Sequence, residues 1–110
     1  MAFTPYHNIT GSTGINIELI APGSDVGEIQ SIIIANTHAT ADATVSLFIQ
    51  NDPTAAAAST FYILSTVAIP SDTSLLLDNS SVLSFDNSSN GYGLYLTVGS
   101  SDTLDVMIIR

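Results

Sequence analysis

Apolar residues in this chain recur at every second position, in short runs that end at turn-forming residues. The runs at residues 15–19 (INIEL) and 45–49 (VSLFI) show the alternation clearly. A period of two places successive side chains on opposite faces of a strand, whereas an amphipathic helix needs a period near 3.6. The pattern therefore predicts an all-β protein.

Seven or eight short strands are predicted, separated by turns rich in Pro, Gly, Asn and Asp. The expected runs are residues 15–19, 26–35, 44–49, 61–69, 75–77, 81–85, 92–98 and 104–109. Strands of this number and spacing predict an antiparallel sandwich of two sheets. The pattern leaves the strand order open between a jelly-roll-like and an immunoglobulin-like arrangement.

The length of 110 residues predicts a single domain. We assign residues 13–110 to one β-sandwich and residues 1–12 to an N-terminal arm, because the alternation is poor there and Pro5 disfavours a central strand. Phe3 and Tyr6 are aromatic anchors that gain a partner by docking. The arm is expected either to cross to a neighbouring subunit, to remain an exposed tail, or to pack on its own domain.

The charge balance of the sequence argues against two classes of binding partner. Ten Asp and Glu residues face a single cation, Arg110, and the formal charge is −9. Nucleic-acid binding needs several Lys or Arg contacts to phosphates, so neither nucleic acid nor an anionic membrane surface is an expected partner. The sequence has no apolar run of 18 residues, no cysteine and no signal-like start, which favours synthesis and assembly in a cytoplasm.

His38 and Asp42 are the residues that most invite a catalytic interpretation. They lie four positions apart in a Thr-rich loop, but sequence proximity is poor evidence for triad geometry. We interpret His38 as a turn residue whose ring caps a backbone group or meets solvent, and His7 in the same way. No catalytic, cofactor-binding or metal-binding residue is predicted.

The segment DNSSNG is the best candidate for an ion-binding loop. Asp86, Ser88, Asn90 and Gly91 occupy the first, third, fifth and sixth places of a calcium loop, but Thr97 stands where a bidentate Glu is needed. A hairpin turn, with Asn90-Gly91 at positive φ, is the preferred interpretation.

A β-domain with few charges and no concentrated chemical groups is typical of a structural or binding module. Several large side chains fall on strand positions that should be polar, and we expect them to be buried against the second sheet or against another chain. They are Phe48, Tyr62, Tyr95, Met107 and Ile109. The interface residues that we predict are Phe3, Pro5, Tyr6, Tyr92 and Tyr95.

Three blocks carry a resemblance to a known family: EIQSIIIANTHATADATVSLFIQ, TFYILSTVAIPSDTSLLLD and SVLSFDNSSNGYGLYLTVGSSDTLDVMIIR. Together they resemble small virion-associated β-sandwich proteins of tailed phages, especially phages of cyanobacteria and other marine bacteria. The likeness spans about residues 14–110 and rests on strand-like segments such as ANTHA, VSLFI and YIL…IP.

The resemblance implies a structural virion protein, most simply a capsid decoration or cement protein. It implies contacts with the major capsid protein or other virion proteins, a homo-oligomer that is often a trimer, and a place on the capsid surface after assembly in the host cytoplasm. It brings no catalytic residue and no cofactor. The alternatives are a neck, tail or fibre component, or a module that binds a glycan or host surface through Tyr92, Tyr95 and the loop around Asn87.

Overall fold

Eight β-strands account for the regular structure of the described part of the chain. A computed structural model describes residues 5–11, 16–25, 28–51, 59–81, 83–88, 91–99 and 102–110. The strands are β1 (Tyr6–Thr10), β2 (Ile17–Ile20), β3 (Ser31–Asn36), β4 (Ala43–Gln50), β5 (Thr60–Ile69), β6 (Ser74–Leu77), β7 (Gly93–Val98) and β8 (Thr103–Ile109). Within these ranges the chain forms no helix of the length and hydrophobicity that crossing a bilayer requires.

The strands form two four-stranded antiparallel sheets. Sheet A has the order β1-β8-β3-β6, and sheet B has the order β2-β7-β4-β5. The first strand thus pairs with the last, the second with the seventh, the third with the sixth and the fourth with the fifth. Nested pairing of this kind is the strand order of a jelly roll rather than of an immunoglobulin fold. The predicted antiparallel two-sheet sandwich is confirmed.

The core lies between the two sheets and is built by the alternation seen in the sequence. Ile32 and Ile34 on β3 are fully buried. Their register partners on β8, Ile108 and Val106, are buried beside them. Leu47, Leu94 and Leu96 meet them from sheet B. Inward and outward positions alternate along β3 and β8, as a sandwich core requires, whereas register shifts interrupt the pairing in β2, β4 and β5.

Two predicted strands differ from those observed. The run predicted at 26–35 gives a strand only from Ser31 onward; residues 28–30 are outside it, and 26–27 lie outside the described residues. The run predicted at 81–85 is not a strand at the described positions 81 and 83–85. There, Asn79 accepts the backbone N–H of Ser81 and of Leu83, so local turn hydrogen bonds replace a ladder.

Part of the expected arm belongs to the domain's own sheet. Residues 6–10 form β1 at the edge of sheet A, and Ile9 is buried in the core. Pro5 lies just before the strand, where its carbonyl accepts the N–H of Ile108 at 2.8 Å. Proline has no backbone N–H, which is tolerated at the start of an edge strand. Phe3 lies outside the described residues.

Candidate interaction surfaces

One cross-strand row of apolar side chains spans the outer face of sheet A. The pairing register aligns one residue from each strand of the sheet. We call these residues the apolar row: Tyr6, Met107, Ile33 and Leu76. Ile109, two residues beyond Met107 on β8, extends the row toward one end of the sheet.

Much of the row faces solvent in the single chain. The exposed fraction is 68% for Tyr6, 54% for Leu76, 36% for Met107 and 44% for Ile109, while Ile33 is half-buried. A continuous apolar stretch such as residues 32–34 is typical of a strand buried on both faces, but here only the inner face is completely covered. Contiguous exposed apolar side chains are typical of contact surfaces.

The other half of this face is polar. The next row along the strands consists of Asn8, Asp105, Ala35 and Ser74. The Asn8 amide donates to the Asp105 carboxylate at 2.7 Å, and beyond it the hydroxyl of Thr37 donates to that of Thr103 at 3.0 Å. The outer face of sheet A is therefore divided into an apolar half and a hydrogen-bonded polar half.

Sheet B carries an aromatic row in the equivalent place. Glu18, Tyr95, Phe48 and Tyr62 align across its four strands. The Phe48 ring lies 5.9 Å from that of Tyr95 and 5.2 Å from that of Tyr62, distances typical of favourable aromatic pairs. The Tyr95 hydroxyl donates to Glu18 at 3.4 Å.

Tyr95 was predicted to be an interface residue, and its burial argues against that role. Its exposed fraction is 2% and that of Phe48 is 3%, so both side chains are committed to packing within the domain. Tyr92 is half-buried, with its ring 5.9 Å from that of Phe61. Phe61 and Tyr62 are neighbours on the edge strand β5, so they point to opposite faces of sheet B. They expose 57% and 59% of their surface and make the β5 edge a second apolar surface.

The carboxylates are concentrated in the loops rather than on the sheets. Apart from Glu18 and Asp105, every Asp or Glu that the structure describes lies in a loop. One end of the sandwich carries Asp42, Asp72 and Asp102, and the opposite end carries Asp25, Glu28, Asp78 and Asp86. The sandwich is acidic at its two ends and nearly uncharged on its faces.

His38 organises the loop between β3 and β4. Its Nδ1 accepts the backbone N–H groups of Thr40 and Ala41, each at 3.1 Å, and its own carbonyl accepts the N–H of Asp72 at 3.1 Å. Because Nδ1 is an acceptor here, the neutral ring carries its proton on Nε2. The interpretation of His38 as a residue whose ring caps backbone groups is confirmed. His7 lies half-buried on β1, opposite Val106.

We predict that His38→Ala lowers the free energy of unfolding by about 1 kcal/mol, because two backbone N–H groups lose their acceptor in a partly solvated loop. His38→Asn should retain part of this stability, since an Asn side chain makes similar turns with its own backbone. Urea unfolding of the three proteins measures both differences. Unchanged stability in His38→Ala, together with the loss of a hydrolase turnover that the intact chain shows, would mean that the ring has a chemical role.

Among the described residues, two buried asparagines fix the loops at opposite ends of the sandwich, and the sequence analysis identified neither as a core residue. Asn36 is 3% exposed; its amide donates to the carbonyls of Ala41 and Ile69, both at 2.9 Å, and its Oδ1 accepts the N–H of His38 at 3.0 Å. Such a side chain is a satisfied polar group in the core.

Asn87 has the same role at the other end. It is 6% exposed, and its amide donates to the carbonyls of Ala21 and Tyr92 at 3.0 and 2.7 Å. Its backbone carbonyl accepts the N–H of Asp25 at 3.2 Å. Asn87 therefore ties the β2–β3 loop to the β6–β7 loop and is a structural residue rather than an exposed glycan contact.

The loop that resembled a calcium site is not the predicted hairpin turn, because residues 81 and 83–85 form no strand and β6 and β7 lie in different sheets. It is held by an internal turn. Asp86 Oδ1 accepts the N–H of Ser88 at 3.0 Å, and hydrogen bonds from the Ser88 side chain and backbone hold the pKa of Asp86 below its ordinary value. Thr97 lies within β7, opposite Ser46, and Asn90 lies outside the described residues.

An open cleft of about 550 Å³ adjoins this loop. Its lining combines carboxylates, hydroxyls and one ring: Asp25, Glu28, Ser80, Ser81, Ser84, Phe85, Asp86, Asn87 and Ser88. Across the described parts of the chain, no three His, Asp or Glu side chains come together as a group that could hold a metal ion. The cleft is an acidic, hydroxyl-rich surface at one end of the sandwich.

The described surface thus offers two apolar areas, one on sheet A and one on the edge of sheet B, between two acidic ends. Comparisons of this chain with protein-family models, with curated proteins and with solved structures give no match.

Proposed function

We propose that this protein is a structural component of a phage virion, a capsid decoration or cement protein that stabilises the shell through protein–protein contacts. In this proposal it is assembled in the host cytoplasm and lies on the capsid surface in multiple copies, in contact with the major capsid protein or another virion protein. A bridging protein of this kind acts by adding contact area that an intact shell keeps and a ruptured one loses.

The observation that carries the proposal is the presence of two separate exposed apolar surfaces on one small domain. One is the apolar row with Ile109 on sheet A, and the other is Phe61 with Tyr62 on β5. A protein that links neighbours needs at least two places to adhere, and buried aromatic and aliphatic anchors supply most of the free energy of such contacts.

The charge distribution and the topology support the same proposal. Acidic ends keep unassembled copies soluble, while uncharged faces allow close approach in an assembly. The nested strand order is that of the jelly roll, an architecture that occurs in viral capsid and lectin domains. A fold alone does not determine function, so the proposal depends on the surfaces.

Particle stability tests this function. Virions of the phage that encodes the chain should contain it in a fixed ratio to the major capsid protein. Particles assembled without it should release their DNA at a lower temperature, and addition of the purified chain should restore the original temperature. Virions that lack the chain, or whose thermal release is the same with and without it, would contradict the proposal.

Two deletions of the N-terminal segment distinguish a role in attachment to the particle from a role in folding. Deletion of residues 1–10 should destabilise the domain, because it removes β1 and the buried Ile9 and leaves the edge of β8 unpaired. Deletion of residues 1–4 keeps β1 and the Pro5 carbonyl that pairs with Ile108. The variant with the shorter deletion, which lacks Phe3, should unfold at the same urea concentration as the intact chain. It should occupy fewer sites on particles, and full occupancy would exclude a contact made by the arm.

A glycan-binding module is the second candidate, favoured by the partly exposed ring pair of Phe61 and Tyr92. Aromatic faces of this kind stack on apolar surfaces of a ligand, and the Tyr92 hydroxyl adds a polar group at the edge of the pair. The burial of Tyr95 removes one of the contacts expected from the sequence, while Tyr92 and the loop around Asn87 stay partly exposed. Glycan-array binding that Tyr92→Ala abolishes would favour this candidate over the shell role.

A further inference from the structure

We propose that the outer face of sheet A binds a second copy of this chain, around a twofold axis that runs parallel to the strands and midway between β8 and β3. The inference rests on the proposed function only in treating the apolar row as a protein contact surface. It assigns that surface to self-association and leaves the second apolar surface, on β5, for a different partner.

The side chains of the face are complementary to themselves under this operation. The rotation exchanges β1 with β6 and β8 with β3, because these strands lie at equal distances from the axis in the order β1-β8-β3-β6. Tyr6 then lies over the partner copy's Leu76, and Met107 over its Ile33. Each residue of the apolar row thus faces an apolar residue.

The polar half is matched as well. The same rotation keeps position along the strands, so the polar half of one copy meets the polar half of the other. Asp105 comes to lie over the small Ala35, which leaves space for water beside the carboxylate, and Asn8 comes to lie over Ser74. No like charges are opposed in this half of the face, although each chain carries a formal charge of −9.

A twofold axis along the row gives a poorer match. It reverses the strand direction, and with Met107 on the axis it places Ile109 of each copy over Asp105 of the other. The large Ile109 side chain covers the carboxylate more completely than the small Ala35 does in the first arrangement, so the cost of removing Asp105 from water is greater here. Both arrangements keep the strands of the two sheets nearly aligned, as face-to-face packing requires, so the side-chain match decides between them.

The acidic loops predict how the association responds to salt. With the strands of both copies aligned, Asp42, Asp72 and Asp102 of one copy lie at the same end as those of the other. Their repulsion acts over a distance comparable to the Debye length, which falls from about 30 Å at about 0.01 M salt to about 8 Å at about 0.15 M. Added salt should therefore tighten this dimer, whereas it would weaken contact with a basic partner.

Sedimentation equilibrium of the purified chain over a concentration series tests the proposal. The expected mass at high concentration is that of two chains of 11.5 kDa each. Leu76→Asp should reduce it to one chain at every concentration. Tyr62→Asp is the matched control, because Tyr62 is exposed to a similar extent, 59% against 54%, but lies on sheet B; it should leave the dimer intact.

A charge-complementation experiment tests the axis itself. Tyr6→Lys and Leu76→Asp should each be monomeric alone, and an equimolar mixture should recover the dimer, because position 6 of one copy faces position 76 of the other. A chain that is monomeric at every concentration, a trimer, a dimer that Leu76→Asp leaves intact, or a mixture without recovery overturns the proposal. Any of these results leaves the particle-stability test of the proposed function unaffected.

Discussion

Asn36→Asp is expected to destabilise the protein by about 3–5 kcal/mol, a large part of the roughly 5–15 kcal/mol that holds a domain of this size together. The Asn36 amide donates to the carbonyls of Ala41 and Ile69 in a site where only 3% of the residue is exposed. A carboxylate has no hydrogen to donate, so it would face two carbonyl oxygens with its charge buried. Even a protonated Asp could satisfy only one of them.

Asn79→Asp is the matched control for this prediction. Asn79 is exposed and its Oδ1 accepts the N–H of Ser81, a role that a carboxylate fills equally well. We expect a change within about 0.5 kcal/mol at this position. Urea unfolding at neutral pH measures both variants, and equal stability of the two would mean that the Asn36 amide does not hold the loop.

Ile34→Ala is expected to cost about 2–5 kcal/mol, whereas Ile33→Ala, one residue earlier, should cost about 1 kcal/mol or less. The two side chains point to opposite faces of β3. Ile34 is completely buried between the sheets opposite Val106, and Ile33 lies half-buried on the outer face beside Met107 and Leu76. Truncation of Ile34 leaves a cavity that the packed core cannot close, while truncation of Ile33 removes contacts at a surface.

Unfolding of both variants in dilute solution, where self-association is weak, measures the difference. A slip of β3 by one residue would exchange the two faces and reverse the order of the two costs. Similar losses for both variants would show that the continuous apolar stretch at 32–34 is buried on both sides.

Local alternation was enough to predict most of the strands, because a period of two is a property of neighbouring residues. It could not predict the strand order, since β1 pairs with β8 and β2 with β7 across almost the whole chain. It also failed at residues 81–85, where Leu83 lies in a loop but has its side chain buried in the core, so the spacing of apolar residues resembles that of a strand. Pro5 indicated correctly that no central strand begins there, but not that an edge strand follows it.

The interaction surfaces were only partly predictable. Met107 and Ile109 were identified as large residues on faces that should be polar, and they are exposed in the single chain. Phe48 and Tyr95 satisfied the same criterion and are buried, because aromatic rings aligned across neighbouring strands cover one another. The importance of Leu76 depends on its register with Ile33 and Met107, which only the folded chain reveals.

His38 and Asp86 show the same limit from the chemical side. Both attracted attention as reactive or ion-binding groups, and in the structure each accepts hydrogen bonds from its own loop, His38 from Thr40 and Ala41 and Asp86 from Ser88. Residue type identified the loops that matter. The partners of these groups could not be inferred from spacing, because several turn geometries fit the same letters.

The proposed function places the domain on a phage virion, and its central claim is that the domain adheres to other proteins through its apolar, nearly uncharged faces. Cryo-electron microscopy of virions that carry the domain tests this claim most directly. We predict copies of the domain on the shell, with the apolar row of sheet A covered by protein and the acidic loops in solvent. Virions without the domain on their shell, or copies whose apolar row faces solvent while the acidic ends make the contacts, would contradict the account.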